Sequence, residues 1–245
     1  MTVADRMASA RPLDGSDRLG THEVQTWTPN RPSRPVALQQ TAFRVRGRSS
    51  GTFSAPGRMP LQRSRHTAAA LRDGRVLITG STTAGVAVAS TELYDPVTGT
   101  FTATGSMAAA RAGHLATLLA DGVVLLAGTD ASAELYGPAT GTFSAAGQLT
   151  MHTHGSTATP MRDSRVLVAG GIHCTSVASA MLFTPESKGF APAGSLVRAR
   201  DGHTSKPQAS GAVLIVGGIS HMRTCRRVFG CTGADTVLSS AELFR

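Results

Sequence analysis

Aromatic residues make up only 4% of this 245-residue chain, with a single Trp. Lysine occurs twice against 22 arginines. A core must therefore rest on Val, Leu and Ala and on whichever Phe and Tyr positions recur. There is no run of 18 or more apolar residues, which excludes a transmembrane helix. The opening MTVADRMASARPLDGSDR has no apolar stretch of the kind a secretory signal requires. As written the chain is expected in the cytoplasm, and outside the cell only where the true start lies upstream or a signal has been removed, so the compartment stays open. The three cysteines, Cys174, Cys225 and Cys231, allow one disulfide and a free thiol, a metal site, or neither. The net charge of +9 is compatible with an anionic partner. No lysine-rich run occurs and aromatics do not alternate with the basic residues, so a nucleic-acid partner is not favoured.

The chain is dominated by a repeat. Residues 65–107 read RHTAAALRDGRVLITGSTTAGVAVASTELYDPVTGTFTATGSM, and the phrase returns at 113–149, in worn form at 155–196 and truncated at 202–244. The first unit holds four strand candidates: HTAAAL (66–71), RVLITG (75–80), ASTELY (89–94) and GTFTAT (99–104). Asp73-Gly74 separates the first pair and Asp95-Pro96-Val97-Thr98-Gly99 the last. Short, evenly spaced strands without helical periodicity predict an all-β array, and a four-stranded unit at this spacing predicts a propeller blade. Phe markers at 53, 101, 143 and 190 set repeat lengths that fit two propeller repeats, the WD and kelch types.

The residues separate the two. No Trp-Asp dipeptide exists. The second strand ends in Gly-Gly at 170–171 and 217–218, and in Gly80-Ser81 and Gly128-Thr129 elsewhere. An aromatic follows in the third strand (Tyr94, Tyr136, Phe183), and seven residues later another in the fourth (Phe101, Phe143, Phe190). This resembles the kelch repeat of galactose oxidase-like propellers over about residues 51–245, with Phe where kelch repeats usually carry Trp and with two units lacking the second Gly. The resemblance implies an all-β, kelch-type propeller of about four blades of four antiparallel strands. Enzymes of that group use copper, two tyrosines, two histidines and a Tyr–Cys crosslink. Here both tyrosines occupy one repeated strand position and read as core, so no copper site carries over and no cofactor is expected.

Residues 1–50, with 8 Arg against 4 acids and several Pro, do not match the repeat and read as a disordered arm. Residues 51–57, GTFSAPG, repeat the fourth-strand phrase with no strands before it, while the last unit stops at Arg245 after its third strand. Pairing of Thr52–Ala55 with Ala241–Phe244 would close a ring of four. The alternative is a fragment or decayed copy of a larger propeller, with most of one face left open.

In such blades the turns between strands one and two, and three and four, share one face, and the remaining loops share the other. The loop-rich face is where chemistry is expected. An Arg-x-x-His phrase recurs there as Arg63/His66, Arg111/His114 and Arg200/His203, with Thr153 and Ser156 in the third unit. Recurrence marks a structural pair. The non-repeating His152, His154, Arg198 and Asp201 are better functional candidates. The longest irregular segment, 219–238, holds His221, Cys225, Arg226, Arg227 and Cys231. Arg198, Arg200, Asp201, His203, His221, Arg223, Arg226 and Arg227 are together expected to form a basic binding surface for a protein or carbohydrate, with an anionic one favoured. His152, His154, His173, Cys174 and His221 are the residues that would supply a metal site, but no ligand spacing supports one. Cys225 and Cys231 are close enough in sequence for a small disulfide in an oxidising compartment. The expected role is a non-enzymatic binding module. The alternatives are a carbohydrate-active or oxidase-type enzyme of the galactose oxidase-like group and a partial or decayed propeller without independent function.

Overall fold

The computed structural model describes residues 57–151, 153–226 and 230–245. The arm at 1–50 and the strand phrase at 52–55 lie outside the described residues. Blade one is β1 (Thr67–Ala70), β2 (Val76–Thr83), β3 (Val86–Asp95) and β4 (Thr100–Ala103). Blade two is β5 (Leu115–Leu118), β6 (Val124–Ala127), β7 (Ser132–Gly137) and β8 (Thr142–Gln148). Blade three is β9 (Thr157–Pro160), β10 (Val166–Ala169), β11 (Ser179–Thr184) and β12 (Gly189–Ser195). Each is a four-stranded antiparallel meander in chain order. Blade four has three described strands: β13 (Thr204–Pro207), β14 (Val213–Val216) and β17 (Ala241–Phe244). Between β14 and β17 the chain leaves the blade as a separate hairpin, β15 (Ile219–Arg226) and β16 (Gly230–Val237). The segment 219–238, which reads as irregular in the sequence, is thus mostly paired strand.

The turns form as their chemistry dictates. Asp73, Asp121 and Asp163 each accept the backbone N–H two residues on, at 2.9–3.2 Å, which closes the β1–β2, β5–β6 and β9–β10 turns. In blade four Ser210 takes that place, accepting from Ala212 at 3.4 Å. The inner strands β1, β5, β9 and β13 lie side by side in series. Pro160 and Pro207 end two of them, on strand edges where no ladder N–H is lost.

Strand alternation gives every blade two apolar faces. Leu77 and Leu93 of blade one pack against Val124, Leu126 and Tyr136 of blade two. Leu125 and Leu135 of blade two meet Val166, Val168 and Phe183 of blade three. Leu167 of blade three meets Val213, Ile215 and Phe244 of blade four. The recurring aromatics lie on the side toward the preceding blade, in tilted pairs at 4.8–5.0 Å between ring centroids (Tyr94–Phe101, Tyr136–Phe143, Phe183–Phe190). Blade one turns Val76, Ile78 and Tyr94 outward from the array, with Met59 and Phe101 on them and no described residue of blade four. Among the described residues the four blades form an open series.

Glycine at the end of the second strand lets neighbouring blades approach. Gly170 has φ 66°, and a Cβ there would stand 2.5 Å from the Arg200 carbonyl oxygen and 2.6 Å from His203 Cε1. Gly211 also has positive φ, 89°, but opens onto free space. Gly211→Ala should cost only the left-handed backbone penalty, about 1–2 kcal/mol. Gly170→Ala adds a clash with backbone that cannot give way and should lower the melting temperature well beyond that. Equal losses in thermal melts would show that the blades do not depend on this close approach.

Candidate binding face

The Arg-x-x-His phrases sit at the roots of the blades. Arg63 is 4% exposed, and Arg111 and Arg200 are fully buried. Each guanidinium binds one set of partners. Arg111 donates to the carbonyls of Gly128 (2.6 Å) and Ser132 (3.0 Å), to Ser132 Oγ (2.5 Å) and to Glu134 Oε1 (3.1 Å). Arg63 repeats this with Gly80, Ser90 and Glu92, and Arg200 with Gly217, Ser240 and Glu242. The arginine thereby clips the loop entering a blade to its second and third strands. Arg200, expected in the binding surface, is occupied in this clip and cannot reach a ligand.

Blade three lacks both charges. Thr153 stands in the arginine position and Met181, 3% exposed, in the glutamate position. Losing one partner alone would strand a buried charge, so the pair goes together. A second regularity shows in the carboxylates. Glu134 Oε2 accepts the Ala108 N–H at 2.7 Å and Glu242 Oε2 the Val197 N–H at 2.6 Å, each donor three residues before the arginine. In blade one that residue is Pro60, which has no N–H, and Glu92 Oε2 is buried without a partner.

The histidines join blades. His114 Nε2 lies 2.9 Å from Thr67 Oγ1 and 2.8 Å from Thr79 Oγ1 in blade one. His203 Nε2 lies 2.9 Å from Thr157 Oγ1 in blade three. Burial, and next the adjacent Arg111, lower the His114 pKa to about 3. Burial and Arg200 lower that of His203 to about 4, against a weaker opposing pull from Glu242. His203, expected to bind ligand, is thus a neutral, buried joint.

Asp201 and His221 do come together, at the root of the β15–β16 hairpin. His221 Nε2 is 3.5 Å from Asp201 Oδ1, and its Nδ1 is 2.7 Å from Asp235 Oδ1. Ser176 Oγ lies 2.6 Å from Asp201 Oδ1 and accepts the His221 N–H at 2.8 Å. Asp201 and Ile219 exchange backbone hydrogen bonds at 3.0 and 2.9 Å. Ser176 and Asp235 do not stand out in the sequence, since neither falls at a repeated position. Arg198 is exposed, with its N–H on Glu242. Arg223 and Arg226 lie in β15, and Arg227 lies outside the described residues. The hairpin register sets Cys225 opposite Cys231. Cys174, His173 and His154 are exposed, and His152 lies outside the described residues.

No family model matches the chain, and no curated protein matches it by sequence. Among solved structures, a fungal alcohol oxidase of the AA5 family in complex with copper superposes with a TM-score of 0.57 at 15% identity, over 76% of this chain and 44% of that one. The chain has the fold of a kelch-type, galactose oxidase-like β-propeller. It spans less than half the length of that oxidase, and at this identity the likeness is one of fold. The described residues do not fit a copper centre. Among the described residues no group of three or more His, Cys, Asp or Glu side chains is placed to hold a metal ion; Tyr136, 0% exposed, is packed between blades one and two, and Tyr94, 8% exposed, is packed with Val76, Ile78 and Phe101 on the outward face of blade one.

The clips and the joints can each be tested. Arg111→Met should destabilise the propeller by about 3–5 kcal/mol, because it leaves Glu134 buried and unpaired. Arg111→Thr combined with Glu134→Met, copying blade three, should cost clearly less than the sum of its single substitutions in a double-mutant cycle; additive losses would show that the two residues do not act as a pair. The histidines set a pH window. Their folded pKa values lie below the unfolded 6.5, so between pH 6.5 and about 4 the unfolded chain binds protons that the native chain refuses. Stability is then complete above pH 6.5 and falls on acidification, by at most about 1.4 kcal/mol per pH unit for each group. His114→Ser, the residue type blade three uses at Ser156, should flatten the decline of melting temperature between pH 7 and 5. An unchanged slope would place the acid sensitivity elsewhere.

Proposed function

We propose that this propeller is a non-catalytic binding module that takes an anionic protein or carbohydrate surface on the face bearing the β15–β16 hairpin. The observation that carries this reading is the hairpin itself. Its two eight-residue strands pair with each other outside the blade sheets, so blade four does not need them for its own ladder. Met222 and Val237 of the hairpin are 71% and 81% exposed and so available to a partner. Arg223 and Arg226 stand in β15, Arg227 comes next in the chain, and Arg198 is exposed in the preceding loop. The acids at the root are already engaged, Asp201 with Ser176 and both Asp201 and Asp235 with His221. Guanidinium groups suit carboxylate and sulfate oxygens through paired N–H donors.

Retention on a heparin column, a sulfated polysaccharide, tests the reading. Replacing Arg223, Arg226 and Arg227 together by Ala should leave thermal stability within about 0.5 kcal/mol and bring elution to clearly lower salt. Replacing Arg72, Arg162 and Lys188, three exposed cations on the short turns of the opposite face, removes the same charge and should shift elution much less. Equal shifts would reduce the binding to net charge and overturn the assignment of the face.

A further inference from the structure

From the two ends of the blade series we infer that the propeller is completed by a second copy of the chain, the far face of blade four docking on the near face of blade one of its partner. In blades one to three, leucines on the face toward the next blade are buried: Leu77 is 0%, Leu125 1% and Leu167 1% exposed. Blade four carries aliphatic residues on the same face, yet Val216 is 42% and Leu243 41% exposed, with Leu214 only partly covered. Register shows that these three share one side: Val216 is opposite Ala241 and Leu214 opposite Leu243.

Blade one shows the complementary deficit. Ala116 and Ala158, facing the preceding blade, are 7% and 5% exposed, whereas Ala68 and Ala70 of β1 are exposed. The polar joints are also left open at the two ends. Thr67 and Thr157 each hold the histidine of the following blade. Thr204, the same position in blade four, is exposed, and among the described residues His66 has no such threonine before it. Gly57 marks which side of blade one a neighbour takes: a Cβ there would meet the Gly99 carbonyl at 2.6 Å, as one on Gly105 of blade one would meet that of Gly141 in blade two at 2.3 Å. Among the described residues, the apolar cluster on the near face of blade one contains none of blade four.

A second copy supplies both missing neighbours at once. Each chain presents one donor face and one acceptor face, so two chains close into a ring with two equivalent joints, and eight blades fall at the upper end of the propeller range. The joint extends the blade-to-blade packing already present three times within the chain.

Light scattering of the full chain after size exclusion should give the mass of two chains of 25.2 kDa each. Val216→Asp with Leu243→Asp should yield folded monomer, and so should Ala68→Asp with Ala70→Asp; all four residues are exposed, so circular dichroism should keep the wild-type melt of the individual blades. Mixing the two variants should restore a dimer through the one joint left intact. A wild-type monomer at tens of micromolar would overturn the inference. So would a dimer broken only by the blade-four substitutions, which would mean that two copies of blade four face each other, or an open-ended series of masses, which would mean that the ring does not close at two.

Discussion

The buried arginine at the root of a blade couples two levels of the structure. Its side chain fastens the incoming loop to the second-strand glycine carbonyl and the third-strand glutamate of its own blade. Its backbone carbonyl accepts a hydrogen bond from the preceding blade, from the Ser81 N–H for Arg111 and the Gly171 N–H for Arg200. One residue therefore sets the geometry within a blade and the spacing between blades. Desolvating a guanidinium and a carboxylate is expensive, and the pair repays it only through a full set of hydrogen bonds. That requirement accounts for the serines at 90, 132 and 240, whose carbonyls and hydroxyls complete the fork. It also accounts for the joint absence of both charges in blade three, where Thr150 N–H reaches Met181 Sδ at 3.4 Å in place of a carboxylate.

With so few large side chains, the array is thin and its packing depends on small residues at the joints. Gly80 illustrates the constraint: a Cβ there would lie 2.3 Å from the Arg111 carbonyl and 2.8 Å from His114 Cε1. The same closeness leaves the histidines almost no water and holds them neutral. Tight joints, neutral histidines and paired arginines are three results of one short blade-to-blade distance.

The fold was legible because its information is periodic. Gly-Gly, the paired aromatics and the Asp-Gly turns each recur at the blade length, and a repeated phrase identifies a strand more securely than any single propensity. The structural role of the Arg-x-x-His phrase was legible for the same reason. Its partner, the glutamate of the third strand, was within reach of the sequence as well: Glu92, Glu134 and Glu242 occupy one position, and Met181 breaks it in the unit where Thr153 breaks the arginine. The hairpin was not legible. The strand GCTGADTV alternates no apolar face, and its residues 233–237 are exposed, so pattern had nothing to register. Nor could the sequence show that Leu243, spelled like Leu93 and Leu135, is left uncovered. Burial depends on the neighbour that a blade meets in space rather than on the blade's own residues.

Function in a repeat scaffold has to be sought where the repeat is broken, since the recurring polar groups are consumed by the scaffold. Here the break is the hairpin root. Asp201 is 3% exposed, and a carboxylate so desolvated is held only while Ser176, in blade three, and His221, in the hairpin, satisfy it together. Ser176 in turn exchanges hydrogen bonds with the His221 backbone at 3.1 and 2.8 Å. The cluster and the Asp201–Ile219 bridge thus fix the hairpin at its base, while beyond that its two strands form a sheet of their own. An element anchored in this way meets a partner already oriented, and less conformational entropy is lost on binding than for a free loop of the same length. The polar burial at the root is the cost of that orientation, and it is incurred at the one place among the described residues where the repeated joint, histidine on threonine, is supplemented by a residue set that no other blade carries.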